Sequence, residues 1–197
     1  MKSQRGFTLI EIMIVLGILA AIMAIATPRL MKKDANINSV ARKFLVLARE
    51  VRTKARLQGA TYRIVIKMDD KEPQYWVERA SGPQRIDPDA YEKALEKANE
   101  KKGEEAPPPL YQIDKSITRK AQDLPSGLRF ASLETANMKA PITSGEAYIH
   151  FFPEGFVEAA ALQITDGQKL TWTLVFNPLT GQADIVEKAQ SLKGLQR

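Results

Sequence analysis

The sequence predicts an α+β protein: one long N-terminal helix, apolar in its first half and amphipathic in its second, packed on an antiparallel β-sheet or β-sandwich head. Three observations predict it. Phe7 to Thr27 is an almost wholly apolar run of 21 positions with a single charge, Glu11. From Ile37 to Ala55 apolar residues recur every three or four positions, the spacing of one helix face. From Thr61 onward short alternating runs are separated by Gly, Pro and Asp, the pattern of strands and turns. The 197 residues suit one domain of ordinary size, and 29 Lys and Arg against 23 Asp and Glu leave a net charge of +6. The absence of Cys excludes disulfide scaffolds, thiolate zinc sites and cysteine nucleophiles. A single histidine, His150, excludes multi-histidine metal centres and leaves little from which to build a catalytic triad.

As a helix the apolar run spans about 31 Å, the thickness of a bilayer's hydrocarbon core. A short leader, Met1 to Gly6, precedes it with two positive charges, Lys2 and Arg5. A secretory signal needs a small-residue cleavage site after the apolar core. Ala24 and Ala26 offer one, but Pro28 and Arg29 follow closely. A plain membrane anchor explains the hydrophobicity and leaves Glu11 unexplained, unless the carboxylate snorkels to the interface from near the helix end. Gly6-Phe7-Thr8-Leu9-Ile10-Glu11 resembles the class III signal of type IV prepilins and type II secretion pseudopilins. That resemblance implies cleavage between Gly6 and Phe7 by a prepilin peptidase, N-methylation of Phe7, and a role for Glu11 in assembly. Basic residues flank both ends of the run, Lys2 and Arg5 before it and Arg29, Lys32 and Lys33 after it. The resemblance therefore sets the orientation: N-terminus cytoplasmic, single pass through the inner membrane, head periplasmic.

The predicted organisation is a leader at 1–6, a transmembrane and assembly helix at 7–28, an amphipathic helix at 29–58 and a β-rich head at 59–197. Pro28 should kink or loosen the helix, and Gly17 with Ala21 supplies a small-residue surface for close helix packing; Gly and Pro are also simply common in membrane helices. In the amphipathic half Ile37, Val40, Ala41, Phe44, Leu47, Ala48, Val51 and Ala55 form the apolar stripe, and Gly59 is a stop signal. Arg42, Lys43, Arg49, Arg52, Lys54 and Arg56 fall largely off it and read as a solvated face rather than a nucleic-acid footprint.

Strands are predicted at Tyr62 to Lys67, Gln74 to Arg79, Leu128 to Leu133, Glu146 to Phe152, Phe156 to Thr165, Lys169 to Asn177 and Gly181 to Glu187. Asp69 to Pro73 supplies a turn between the first two, and Asp166-Gly167 a hairpin signal. Between about 80 and 127 the pattern breaks, and the stretch reads as an exposed insertion with a charged helical segment from Pro88 to Lys102 before Pro107-Pro108-Pro109. Asp69, Asp70 and Glu72 lack calcium-loop spacing and read as turn residues, so no metal site is expected. His150, on one strand face with Tyr148 and Phe152, reads as a packed or surface histidine. No P-loop, dinucleotide glycine pattern or EF-hand loop is present, no catalytic residues are assigned and no cofactor is expected.

Two C-terminal turns narrow the resemblance. Phe151, Pro153 and Gly155, and then Pro178, Leu179, Thr180 and Gly181, are similar to the F-x-P-x-G and P-L-T-G turns of the GspH/FimT group of type IV pilin-like proteins. Membership implies a minor pseudopilin of a type II secretion system, a non-enzymatic subunit near the tip of the periplasmic pseudopilus. Its implied partners are other pseudopilins through the N-terminal helix, the prepilin peptidase, the inner-membrane assembly platform, and the secretin or cargo beyond them. The alternative is a FimT/FimU-like minor pilin serving pilus assembly or DNA uptake. Outside the leader and the apolar run the net charge is +5, modest for a DNA binder, so DNA binding is expected to be weak or absent.

Overall fold

A computed structural model describes the backbone of residues 9–84, 110–138 and 140–195, and their side chains except those of 21–36 and 195. Helix α1 runs Leu9–Gln58, 50 residues in one element that stays helical across Pro28. Its second half is held by burial. Ile37, Val40, Ala41, Phe44, Ala48, Val51 and Ala55 are all buried, and Leu47 packs at the margin, so the predicted stripe is the observed one. Each large member of such a stripe contributes about 1.5–3 kcal/mol when fully buried. Gly59, at φ +59°, ends the helix in the left-handed conformation that Gly adopts without a Cβ penalty.

Among the described residues nine strands follow, in two antiparallel sheets. The first contains β1 (Tyr62–Met68), β2 (Gln74–Ala80), β3 (Tyr111–Ile113) and β6 (Gly145–Phe151) in the order β3-β2-β1-β6, with β4 (Gln122–Asp123) also on β2. The second has the order β5-β7-β8-β9, from β5 (Arg129–Thr135), β7 (Ala160–Thr165), β8 (Thr171–Phe176) and β9 (Ala183–Val186). A single turn of helix, α2 (Leu192–Leu195), follows them. Both sheets meet α1 in one core. Phe44 sets its ring 4.6 Å from Tyr75 of the first sheet and 6.0 Å, edge-on, from Phe130 of the second. Phe151 and Phe176 close the seam between the sheets, edge to face at 6.3 Å.

Two expectations change. The strand expected over Phe156 to Thr165 starts only at Ala160, because Gly155 (φ +94°) turns the chain and the next residues double back along β6. Phe152 N–H bonds to the Phe156 carbonyl at 2.9 Å, and Glu158 N–H to that of His150 at 2.8 Å. The stretch 110–127, expected within an exposed insertion, instead continues the first sheet. β3 and β4 pair with β2, Asp114 N–H donates to the Val77 carbonyl at 3.0 Å, and Thr118 Oγ1 accepts Val77 N–H at 2.9 Å. Leu124 and Thr118 are buried there. The expected helix at 88–102 lies outside the described residues.

Candidate functional site

The first candidate region is the start of α1. Gly6 and Phe7 lie outside the described residues. Glu11 stands in the first turn, where a carboxylate complements the positive end of the helix dipole. Around it Leu9, Ile10, Ile12, Met13, Ile14, Val15, Leu16, Ile18 and Leu19 are 47–80% exposed. From Leu9 to Leu19 the helix therefore presents aliphatic side chains on all sides, a surface suited to lipid or to other helices. A β-carbon at Gly17 would meet nothing within 4 Å, so the backbone is open to close approach there. Ala21 and Pro28 belong to the same helix, and their side chains are outside the described set. Among the described residues no helix is long and apolar enough to cross a membrane, and the described side chains of the apolar run end at Ala20.

The second region is where the far end of α1 meets two turns. Arg52 Nε donates to the Gly155 carbonyl at 2.8 Å, a bond between residues 103 positions apart. Gly155 sits against the Arg56 side chain, with Cδ 3.0 Å from where a β-carbon would stand. Gly181, at φ +64°, is packed still more closely, since a β-carbon there would lie 2.3 Å from Arg52 Nε and 2.5 Å from the Gly155 carbonyl oxygen. The turn before it is set by Asn177, whose Oδ1 accepts Leu179 N–H at 3.0 Å and whose carbonyl accepts Gly181 N–H at 2.8 Å. The structure thus brings the two turns singled out in the sequence together, on one arginine of the helix. Phe151 is buried in the core, Pro153 is half-buried at the bend, and Pro178, Leu179 and Thr180 are exposed at the tip. Sequence reasoning missed Arg52 as the joint, because a side-chain bond over 103 positions leaves no periodic trace.

Beside this joint lies a polar network. The Tyr62 hydroxyl is 2.8 Å from Gln58 Oε1 and 3.0 Å from Asp114 Oδ2, donating its one proton to either acceptor. Gln58 Oε1 also accepts Arg79 Nη1 at 2.7 Å. Burial and the Asp114 carboxylate push the Tyr62 phenol up to about 12. For Asp114 burial acts upward, but the hydroxyl and N–H of Ser116, the Tyr62 hydroxyl and the Lys54 charge outweigh it and hold the carboxyl below its ordinary value. Lys54 in turn donates to Ser116 Oγ, tying α1 to the segment after β3.

On the far face of the first sheet Arg63 lies between the rings of Tyr111 (3.9 Å) and Tyr148 (4.0 Å) and pairs with Glu78 at 2.6 Å. Trp76 Nε1 donates to the other Glu78 oxygen at 2.8 Å. His150 Nδ1 is 2.7 Å from Glu158, whose other oxygen accepts Asn137 Nδ2 at 3.0 Å. His150 is therefore a packed, partnered residue, as expected. Asp69 caps its own turn by accepting Lys71 and Glu72 N–H, bonds that hold its carboxyl below the usual range. Among the described residues no group of three or more His, Asp or Glu is placed to hold a metal ion.

Residues 1–27 match the prokaryotic N-terminal methylation motif, a match that overlaps the start of α1 in this α+β fold. Among solved structures the chain is similar to two of the minor pseudopilin EpsH from the type II secretion system of Vibrio cholerae. They share 15% identity with it, cover 79% and 82% of this chain and 99% of theirs, and give TM-scores of 0.45 and 0.46. No curated protein matches the chain.

Proposed function

We propose that the chain is a minor pseudopilin of a type II secretion system, a structural subunit without catalytic activity that assembles near the tip of a periplasmic pseudopilus. The observation that carries this reading is the methylation motif over residues 1–27, overlapping a helix whose side chains are aliphatic and exposed from Leu9 to Leu19 and form a buried stripe from Ile37 to Ala55. One helix then serves two solvents. Phe7 to Thr27 sits in the inner membrane or among neighbouring helices, and Ile37 to Ala55 carries the head outside it. Prepilin peptidase cuts between Gly6 and Phe7, Phe7 is methylated, and Glu11 guides assembly with other pseudopilins on the inner-membrane platform. Gly17 and Ala21 let helices approach, and Pro28 marks where the helix leaves the membrane. The two glycine turns hold the head to the helix, so a pull on the stalk is transmitted to the head.

The test is intact mass spectrometry of protein from the native host. The expected species lacks the first six residues and carries one added methyl on Phe7. A chain starting at Met1, or one cut after Ala26, overturns the reading. Secretion of cargo in a strain lacking the protein then separates a secretion subunit from a FimT/FimU-like pilin, which would leave secretion intact and impair pili or DNA uptake.

A further inference from the structure

The half of α1 that covers the head, 37–58, holds six basic residues and one acidic residue, and so carries most of the chain's net charge. Arg52 and Arg56 lie against the turns at Gly181 and Gly155, and Arg49, three positions before Arg52, stands one turn earlier on the same helix face. Among the described residues none of the three is ion-paired with a carboxylate, although Glu50 is on the same helix and Glu154 adjoins Gly155, both exposed. The same corner exposes two large apolar side chains, Phe156 at 49% and Leu179 at 80%, each within two residues of a glycine packed on those arginines. A folded head does not gain from leaving Leu179 in water at the tip of a tightly fixed turn. A binding surface does, because side chains on an ordered turn lose little freedom when a partner covers them.

We propose that this corner docks an acidic segment of another polypeptide, with carboxylates meeting Arg49 and Arg56 and aliphatic side chains covering Leu179 and Phe156. The charge selects an anionic partner, and the apolar pair selects polypeptide over nucleic acid, since duplex phosphates make no use of an exposed leucine. A lipid surface at the Thr27 end is out of reach, because Arg49 lies about 33 Å further along the helix. The proposal goes beyond the pseudopilin reading by naming the surface and the chemistry of its partner, and it does not depend on cleavage after Gly6.

A benzophenone amino acid in place of Leu179, in the full chain expressed in the native host, tests it. Ultraviolet crosslinking should give a protein adduct whose mapped site lies in a segment with an excess of Asp and Glu. The yield should fall about tenfold with Arg49→Glu and less with Arg49→Gln, and should return when a mapped acidic residue of the partner is changed to Lys alongside Arg49→Glu. An adduct insensitive to Arg49→Glu, an adduct to nucleic acid, a mapped site without acidic residues, or no adduct overturns the proposal. The N-terminal mass of the same samples reports leader cleavage separately, so a failure of the pseudopilin reading is distinguishable from a failure of this one.

Discussion

At Gly181 a β-carbon would stand 2.3 Å from Arg52 Nε and 2.5 Å from the Gly155 carbonyl oxygen, with φ at +64°. Of these neighbours the arginine can swing aside, but the carbonyl is backbone, so the turn itself must move. Gly181→Ala is therefore expected to cost about 2–3 kcal/mol, from the left-handed backbone and the overpacking together. Gly167, also at positive φ, has Arg129 Nε no nearer than 3.7 Å, and Gly167→Ala should cost only about 1 kcal/mol, the backbone part alone. Urea unfolding of the full chain in detergent measures both, and equal losses would show that the joint with Arg52 contributes nothing. Tyr62 gives a second test at this scale. Its phenol is held at about 12 in the fold and titrates near 10 when unfolded, so the folded state keeps a proton that the unfolded state releases. That stabilisation is complete below pH 10 and is lost as pH rises toward 12. Half-buried Tyr75 and Tyr111 are shifted the same way, by burial. Tyr62→Phe should accordingly flatten, without abolishing, the fall in stability measured over that window.

Among the elements, the second half of α1 was legible because eight apolar residues repeat at helical spacing; seven of them are buried and Leu47 is half-buried. Strands β1 and β6 were legible from alternation, at Tyr62, Ile64 and Ile66 and at Ala147, Ile149 and Phe151, and β2 from its run Tyr75-Trp76-Val77 after the turn at Asp69 to Pro73. β3 and β4 were not, being three and two residues long, too short to carry a period. Their place on β2 depends on groups that no pattern announces, such as the Thr118 hydroxyl that accepts the buried Val77 N–H. Thr118→Val keeps the shape and removes that acceptor, and is expected to cost about 1–3 kcal/mol, the penalty for an unsatisfied buried donor. A melting temperature unchanged by Thr118→Val would show that 110–127 rests on the sheet without supporting it. Phe44, which touches both sheets, should cost about 3–5 kcal/mol as Phe44→Ala. The candidate site divides the same way. The two turns were visible as Pro and Gly signals, whereas Arg52, which joins them, and Arg63, which pins Tyr111 against β1, act only through contacts distant in sequence.

For the whole molecule, the question is what a carboxylate does in the first turn of a helix whose neighbouring side chains, from Leu9 to Leu19, are aliphatic and exposed. In an apolar environment Glu11 is costly unless it meets a cation or a donor. Under the proposed function, cleavage after Gly6 creates an amino group at Phe7 that methylation leaves positively charged. Serving its own Glu11 would require the helix start to curl back, whereas a neighbour displaced along the filament presents its terminus directly. Each incoming subunit would then be set in register by one charge pair, and an uncleaved chain, lacking that amino group, would be refused. Glu11→Val should therefore leave the protein cleaved, inserted and as stable as the parent, because the head's core lies beyond Ile37. Its crosslinking to other pseudopilins and the secretion of cargo should nevertheless fall. Glu11→Asp should fall less, since the charge survives while its reach shortens. Gly6→Val should give the same loss by another route, blocking cleavage while Glu11 is intact. A Glu11→Val protein that crosslinks and secretes like the parent would reduce the carboxylate to a residue that merely tolerates the interface, and the register mechanism would fall with it.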